Sequence, residues 1–156
     1  MIMRARKISI VSGHWDPFHV GHLELFQKAK EISDILYVIM NTDGQIYAKT
    51  GKVFMPYEER EKIIQAIRYV DSTIFCIDKD HTVCETLRDL ARTNQKIDEA
   101  LGQNTKLIFC NGGDRKKDNI PEYDICNEFG IEMVFGLGGK IQSSSELLKN
   151  YAKSQG

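Results

Sequence analysis

The chain has 156 residues, 42% hydrophobic and 28% charged, with a formal net charge of −1. This composition is typical of a folded globular protein, and it excludes a general basic field that would attract nucleic acid or an anionic membrane surface. No apolar run reaches the length of a membrane span, and the N-terminal segment lacks the apolar core of a signal peptide. We expect a single cytoplasmic domain over residues 1–156, with no nucleic-acid or membrane partner.

Hydrophobic patterning divides the chain into alternating β-type and α-type segments. An apolar run at residues 8–12 predicts a first strand, and Leu23, Phe26 and Ala29 then recur at helical spacing. The series continues to the end of the chain, with a polar loop after the second strand. The predicted strands are 8–12, 35–40, 73–77, 105–110 and 131–135, the loop is 41–55, and the later helices are 57–69, 82–91 extending toward 101, 121–129 and 143–153.

Strands that alternate with helices predict a parallel sheet, because parallel neighbours need a crossover connection. The expected fold is α/β, a Rossmann-like, doubly wound sheet of five parallel strands with helices on both faces. Ligands of such sheets bind beyond the carboxyl ends of the strands, where the strand order reverses. The segments that begin at Gly13, Asn41, Gly112 and Gly136 all follow predicted strands. We therefore expect them to meet at one edge of the sheet.

The first of these segments, residues 13–22, reads Gly-His-Trp-Asp-Pro-Phe-His-Val-Gly-His. It leads into a helix, and a helix start favours anions because its first amides lack intrahelical partners and its macrodipole is positive there. His19 and His22 lie on one face of the first turn, and Gly21 between them adds no Cβ. The segment predicts a small concave site whose donors bind a phosphate.

Other interpretations of this site are weaker. Residues 49–52, Lys-Thr-Gly-Lys, lack the first glycine of a P-loop and follow no apolar strand, and no Gly-x-Gly-x-x-Gly follows the first strand. A zinc site formed by His14, His19 and His22 is an alternative, although Glu24 would be a weak fourth ligand. The four cysteines are Cys76, Cys84, Cys110 and Cys126. They form no Cys-x-x-Cys, three of them lie within apolar runs, and all are predicted to be reduced thiols.

The 13–22 segment resembles the signature of the His-x-Gly-His nucleotidyltransferases, which include glycerol-3-phosphate cytidylyltransferases and heptose-phosphate adenylyltransferases. Trp15 stands where that family usually has Phe. The resemblance implies that His19 and His22 are catalytic. It also implies that the residues around them line the nucleotide phosphates, namely Ser12, Gly13, His14, Trp15, Asp16, Phe18 and Gly21.

The segment from Tyr57 to Asp71 is similar to a helix of the glycerol-3-phosphate cytidylyltransferases that starts with Tyr-Glu-x-Arg. By this match, Arg60 reaches the phosphates of the nucleotide or the acceptor, although an amphipathic helix with a solvated charged face explains most of the same residues. The family also has a phosphate-binding lysine in the preceding loop. Lys49 and Lys52 are both candidates, and the sequence does not choose between them.

Two later segments complete the resemblance. Gly113, Asp114 and Arg115 follow the fourth strand, where heptose-phosphate adenylyltransferases have Gly-Gly-Asp and the cytidylyltransferases have Gly-Asp-Asp. Before the last helix, the run of serines at 143–145 provides a helix cap with Glu146 and also offers hydroxyl donors to a phosphate. The predicted nucleotide contacts here are Gly113, Asp114, Arg115, Lys140, Ser143, Ser144 and Ser145.

One departure leaves the identity of the nucleotide open. Cytidylyltransferases usually carry an arginine before the serine run, whereas this chain has Lys140, which cannot make a bidentate guanidinium contact. Transfer of CMP from CTP to a small phosphorylated acceptor, such as glycerol 3-phosphate, is favoured. The alternatives are transfer of AMP from ATP to a sugar phosphate and a nucleotide-binding module without turnover.

The resemblance implies further partners. Mg²⁺ is expected with the triphosphate, and Asp16 either orients metal-bound water or ties down its own loop. The expected small-molecule partners are a nucleoside triphosphate and a phosphorylated acceptor. Members of the family commonly form dimers, so a homodimer is expected.

Overall fold

The structure, a computed structural model, describes residues 5–113, 120–138 and 143–155. Within these ranges, strands and helices alternate along the chain, as the hydrophobic pattern predicts. The elements are β1 Arg6–Gly13, α1 Val20–Glu31, β2 Ile35–Met40, α2 Asp43–Thr50, α3 Tyr57–Gln65, β3 Ser72–Phe75, α4 Cys84–Leu101, β4 Thr105–Cys110, α5 Tyr123–Phe129, β5 Glu132–Val134 and α6 Ser144–Gln155.

The five strands form one parallel sheet in the order β3-β2-β1-β4-β5. β1 lies at the centre, where it pairs with β2 from Ile8↔Ile35 to Gly13↔Met40 and with β4 from Arg6↔Thr105 to Ile10↔Phe109. The strand order reverses between β1 and β4, so the carboxyl end of β1 flanks the crevice in which such sheets bind ligands. The Rossmann-like α/β fold predicted from the sequence is confirmed.

Helices cover both faces of the sheet because its strands are apolar on both sides. On one face, Ile8 and Ile10 of β1 pack with buried residues of α4 and α5, including Leu87 and Ile125. On the other face, Val11 packs with strand residues and with buried residues of α1 and α3, including Phe26 and Ile64. The two clusters fix β1, and therefore the loop that follows it, between two packed layers.

The polar segment 41–55 is not entirely a loop, which corrects the sequence-based prediction. It contains α2, whose Thr42 cap accepts a hydrogen bond from the backbone N–H of Gln45 at 3.1 Å, while the Gln45 side chain accepts one from the backbone N–H of Thr42. The helix ends at Gly51, which has φ +80°, a conformation that favours glycine. α3 is also shorter than predicted and ends at Gln65 rather than near Tyr69.

All four cysteines are free thiols, and three of them are buried, as the sequence predicts. Burial raises the pKa of Cys110 to about 11 and is the main cause that raises the pKa of Cys126 to about 12. In the described ranges, no helix is both long enough and apolar enough to cross a membrane.

Candidate functional site

The loop after β1 is built around a buried tryptophan. Trp15 has φ +56° and is only 3% exposed, and its Nε1–H donates to the backbone oxygen of Ile39 on the neighbouring strand at 3.0 Å. Its ring meets the rings of His22 and Phe26 edge-on, each at a centroid distance of 4.9 Å. Trp15 therefore supports His22 from within the protein core.

His19 and His22 together cap the start of α1. The backbone N–H of Gly21 donates to His19 Nδ1 at 3.1 Å, and the backbone N–H of His19 donates to His22 Nδ1 at 3.3 Å. Because each Nδ1 accepts a hydrogen bond, a neutral ring carries its proton on Nε2. The two rings stack with centroids 3.6 Å apart, and Phe18 packs against His22 at 5.4 Å. The arrangement presents two N–H donors side by side.

The environment keeps these imidazoles neutral. Burial, followed by the charge of His19, lowers the pKa of His22 from 6.5 to about 3. Burial also lowers the pKa of His19. Near neutral pH, the pair therefore offers hydrogen-bond donors to an anion through polar N–H groups and the helix start, not through full positive charges.

Asp16 ties its loop to the segment before α3. Its Oδ2 accepts from the backbone N–H of Phe54 at 2.8 Å, and its Oδ1 accepts from that of Met55 at 2.6 Å. Of the two roles considered for Asp16, the structure shows the contact that fixes the loop. Within the described parts of the chain, no group of three or more His, Cys, Asp or Glu side chains is placed to hold a metal ion.

Arg60, predicted to reach a phosphate, lies beneath the site, where its guanidinium contacts protein groups. The side chain is fully buried, and its guanidinium donates to the backbone oxygens of three separate segments and to Asp43 Oδ1 at 2.6 Å. The guanidinium is buried because three loops converge here, and the backbone oxygens that these loops direct inward need hydrogen-bond donors. The three backbone contacts are Met55 O at 2.9 Å, His14 O at 2.8 Å and Asn41 O at 3.0 Å.

The two candidate lysines point to different places. Lys52 lines the cavity that contains His22, whereas Lys49, in the last turn of α2, lines a separate cavity with Asp78 and His81. The Thr50 hydroxyl holds the turn between them, at 2.9 Å from Ile46 O and 2.8 Å from Lys52 O. The geometry therefore distinguishes the lysines where the sequence does not.

The segments after the other strands meet at the same edge of the sheet. The backbone N–H of Asn41 donates to Gly13 O at 3.2 Å, and that of Leu137 donates to Asn111 O at 3.1 Å. A Cβ at Gly112 would meet Leu137 O at 3.0 Å, so the absence of a side chain permits this approach. Gly113 has φ +62°. Asp114, Arg115 and Lys140 lie outside the described residues.

The serine run begins α6 beside the histidine loop. Ser143 Oγ accepts from the backbone N–H of Glu146 at 3.1 Å, which is the predicted helix cap. Ser144 Oγ donates to Pro17 O at 2.9 Å. Ser144 and Ser145 both line the cavity that contains His22. Ser12, also predicted to contact the nucleotide, is a half-buried residue of β1.

The histidine loop, residues 46–54 and α6 surround one cavity of about 680 Å³. Its polar lining residues are His14, Asp16, His22, Thr50, Lys52, Gln155 and the two serines of α6. Its other lining residues are Trp15, Ile46, Val53, Phe54, Leu148, Tyr151 and Ala152. This volume is within the range of small-molecule sites in proteins.

Residues 10–129 match the cytidylyltransferase-like family. The chain belongs to this family. A glycerol-3-phosphate cytidylyltransferase of Staphylococcus aureus is 40% identical over 65 residues, which are 42% of this chain and 49% of that protein. The bifunctional protein HldE of Citrifermentans bemidjiense is 30% identical over 141 residues, which are 89% of this chain and 24% of that protein.

The chain spans about half the length of the first relative and about a quarter of the length of the second. Among solved structures, a lipopolysaccharide core biosynthesis protein from Thermoplasma volcanium has a TM-score of 0.58 and 18% identity. That similarity covers 84% of this chain and 96% of the other. The similarity supports the fold alone.

Sequence reasoning missed several residues of this cytidylyltransferase-like site. Asp43 pairs with Arg60 inside a segment predicted to be a loop. Phe54, Leu148 and Tyr151 line the cavity. The signal for the last two was the spacing of α6, since positions 144, 148, 151 and 155 lie on one helix face. The segment containing Phe54 has no comparable periodicity.

Proposed function

We propose that this chain transfers a nucleotidyl group from a nucleoside triphosphate to a phosphorylated acceptor. The observation that carries the proposal is the pair of imidazoles at the start of α1, whose neutral Nε2–H groups are aligned by hydrogen bonds to both Nδ1 atoms. Lys52 and two serines line the same cavity as His22. Membership in the cytidylyltransferase-like family supports this reaction class.

The reaction balances without a covalent enzyme intermediate. An oxygen of the acceptor phosphate forms a bond to the α-phosphorus, and the bond from that phosphorus to the bridging oxygen breaks in line, so pyrophosphate leaves with the electron pair. His19 and His22 donate to the phosphate oxygens on which charge increases, and Lys52 neutralises part of that charge. Arg60 positions the three loops that hold these groups in place.

Magnesium fits this arrangement as a partner of the triphosphate. The cation normally uses only one or two protein carboxylates and keeps several waters. Asp16 accepts one N–H at each oxygen, which leaves lone pairs for a metal-bound water. When bound, Mg²⁺ would supply charge stabilisation to the leaving pyrophosphate.

CTP is the favoured nucleotide of this proposal, since the Staphylococcus aureus relative carries the cytidylyltransferase name at 40% identity. Adenylyl transfer is the second candidate, because residues 112–114 match the Gly-Gly-Asp of heptose-phosphate adenylyltransferases and HldE is similar over 89% of the chain. The two candidates share the same use of His19, His22 and Lys52. They differ in the nucleobase and in the acceptor.

Calorimetric titration of magnesium–CTP and magnesium–ATP into the purified chain tests the proposal. We expect one nucleotide to bind clearly more tightly, and His22→Ala to weaken that binding. His81→Ala is the matched control, because His81 is an exposed histidine that lines a different cavity. Binding of CTP alone supports cytidylyl transfer, and binding of ATP alone supports adenylyl transfer. Binding of neither overturns the proposal.

A further inference from the structure

The cavity at His22 continues past the groups that suit a triphosphate. Those groups are the histidine loop, Lys52 and the first turn of α6, where Ser144 and Ser145 line the cavity. The lining then follows one face of α6 to Tyr151, which lies two turns beyond Ser144. At a rise of about 1.5 Å per residue, this separation is about 10 Å. The base of a nucleoside triphosphate is at a comparable distance from its terminal phosphates, because the ribose and the α-phosphate lie between them.

Besides the buried Trp15, two large aromatic side chains line this cavity, one from each wall. Phe54 belongs to the segment before α3, and Tyr151 belongs to α6. Phe54 is 57% exposed and Tyr151 is 62% exposed. Among the described residues, neither ring is paired with another aromatic ring. Both rings are therefore open to a ligand in the cavity.

The segment that carries Phe54 is held in place by the histidine loop. The backbone N–H of Phe54 donates to Asp16 Oδ2 at 2.8 Å, and that of Met55 donates to Asp16 Oδ1 at 2.6 Å. Lys52, two residues before Phe54, lines the same cavity. One short segment thus supplies both a cation and an aromatic ring to the cavity, and Asp16 ties that segment to the loop of His19 and His22.

The chemistry of this lining matches a nucleobase. A base has flat π faces that stack on aromatic side chains, and hydrogen-bond donors and acceptors along its edges. Gln155, one turn beyond Tyr151, also lines the cavity, and its amide can both donate and accept. The lining therefore combines aromatic rings for the faces of a base with an amide for one of its edges.

We propose that the base of the nucleoside triphosphate stacks between Phe54 and Tyr151 while its phosphates bind at the histidine loop. This inference rests on the proposed function and adds the residues that hold the base. One ring lies on the segment fixed by Asp16, and the other lies on α6, none of whose residues Ser144–Gln155 is buried. The bound base therefore links the two walls of the cavity.

Calorimetric titration of Tyr151→Leu and Phe54→Leu with magnesium–CTP, magnesium–ATP and magnesium tripolyphosphate tests the inference on the whole chain. Leucine keeps an apolar side chain but has no π face, so each variant should bind the preferred nucleotide about tenfold more weakly than the wild type. Tripolyphosphate has no base, so its affinity should stay unchanged. Tyr151→Phe keeps the ring and should bind nucleotide like the wild type. Tyr47→Leu is the matched control, since Tyr47 is 65% exposed and lies outside this cavity.

Nuclear Overhauser effects between protons of the bound base and the rings of Phe54 and Tyr151 provide a direct second measurement. The inference is overturned if either leucine variant binds nucleotide as tightly as Tyr47→Leu, if nucleotide and tripolyphosphate lose affinity equally, or if the base shows no such effect to either ring. The wild-type titration separates this result from the proposed function. Nucleotide that binds the wild type and the leucine variants equally keeps the function and overturns the inference, whereas a wild type that binds no nucleotide overturns both.

Discussion

The two walls of the cavity are attached to the protein in different ways. On one side, the histidine loop and residues 51–56 are tied together from above by Asp16 and from below by the buried guanidinium of Arg60. On the other side, none of the residues Ser144–Gln155 of α6 is buried, and Ser144 Oγ contacts Pro17 O through a single hydrogen bond.

The two walls differ in how firmly they are attached, and firm attachment matters most for groups that stabilise charge. Groups that stabilise charge must be held in place before the substrate arrives, since preorganisation is the source of their effect. The other wall, α6, opens at lower free-energy cost, because segments with few buried contacts do so. The firmly attached wall therefore holds the proposed charge-stabilising groups, and α6 is the wall that can move.

The largest expected effect is on the fixed wall itself. Replacing either imidazole, in His22→Ala or His19→Ala, removes one aligned donor and should lower turnover about 100-fold to 1,000-fold. Pyrophosphate release under saturating nucleotide and acceptor measures this loss, with His81→Ala as the control. Near wild-type turnover in either variant would show that the stacked pair does not stabilise the transition state.

Removing the support below that wall should lower stability. Arg60→Met preserves much of the volume but leaves the backbone oxygens of Met55, His14 and Asn41 without their donor. We expect the free energy of unfolding in urea to fall by about 3 kcal/mol or more. Arg68→Met, at an exposed arginine, should leave the urea midpoint essentially unchanged. Equal midpoints for the two variants would contradict the role of Arg60.

The burial of His22 predicts a pH dependence of stability. Its pKa is about 3 in the folded protein, against 6.5 for the unperturbed side chain. Between these values the unfolded state binds a proton that the folded state does not, so stability falls as the pH falls from about 6.5 toward 3. The loss is up to about 1.4 kcal/mol per pH unit.

Urea unfolding of the wild type and of His22→Gln at pH 7, 6, 5 and 4 measures this effect. The difference between their unfolding free energies should change with pH, because glutamine does not titrate. Parallel profiles would mean that His22 takes up a proton equally well in the folded state.

The smallest effect is expected on the loosely attached wall. Ser144→Ala removes the hydrogen bond to Pro17 O, which is worth about 1 kcal/mol. Amide hydrogen exchange should become faster in α6 and stay unchanged in β1. Ser145→Ala is the control, since Ser145 is exposed at the neighbouring position. Faster exchange in both elements would indicate that α6 is part of the cooperative core.

The sheet and the histidine loop were predictable because their signals are local. The strands are continuous apolar runs, and two of them, β2 and β4, begin and end at the predicted residues. The helix α2 was missed because its eight residues show no apolar stripe, although Thr42, Gln45 and Gly51 were signals for its two ends.

The position of Arg60 could not be read from the sequence. An arginine on a polar helix stripe is usually solvated, and its partners here come from segments that lie 5 to 46 residues away along the chain. Only the folded arrangement brings these carbonyls together. The same holds for the choice between Lys49 and Lys52, which depends on where α2 ends and which cavity each side chain then reaches.

The packing of Trp15 against Gly13 has a consequence for how this loop can evolve. A Cβ at Gly13 would lie 3.0 Å from the indole ring, and that ring is held by Ile39 O and packed against Phe26. A smaller aromatic residue at position 15 would release this space. Alanine at position 13 therefore requires the indole ring to shift by a few tenths of an ångström, so Trp15 disfavours this substitution and a smaller aromatic residue at position 15 would ease it.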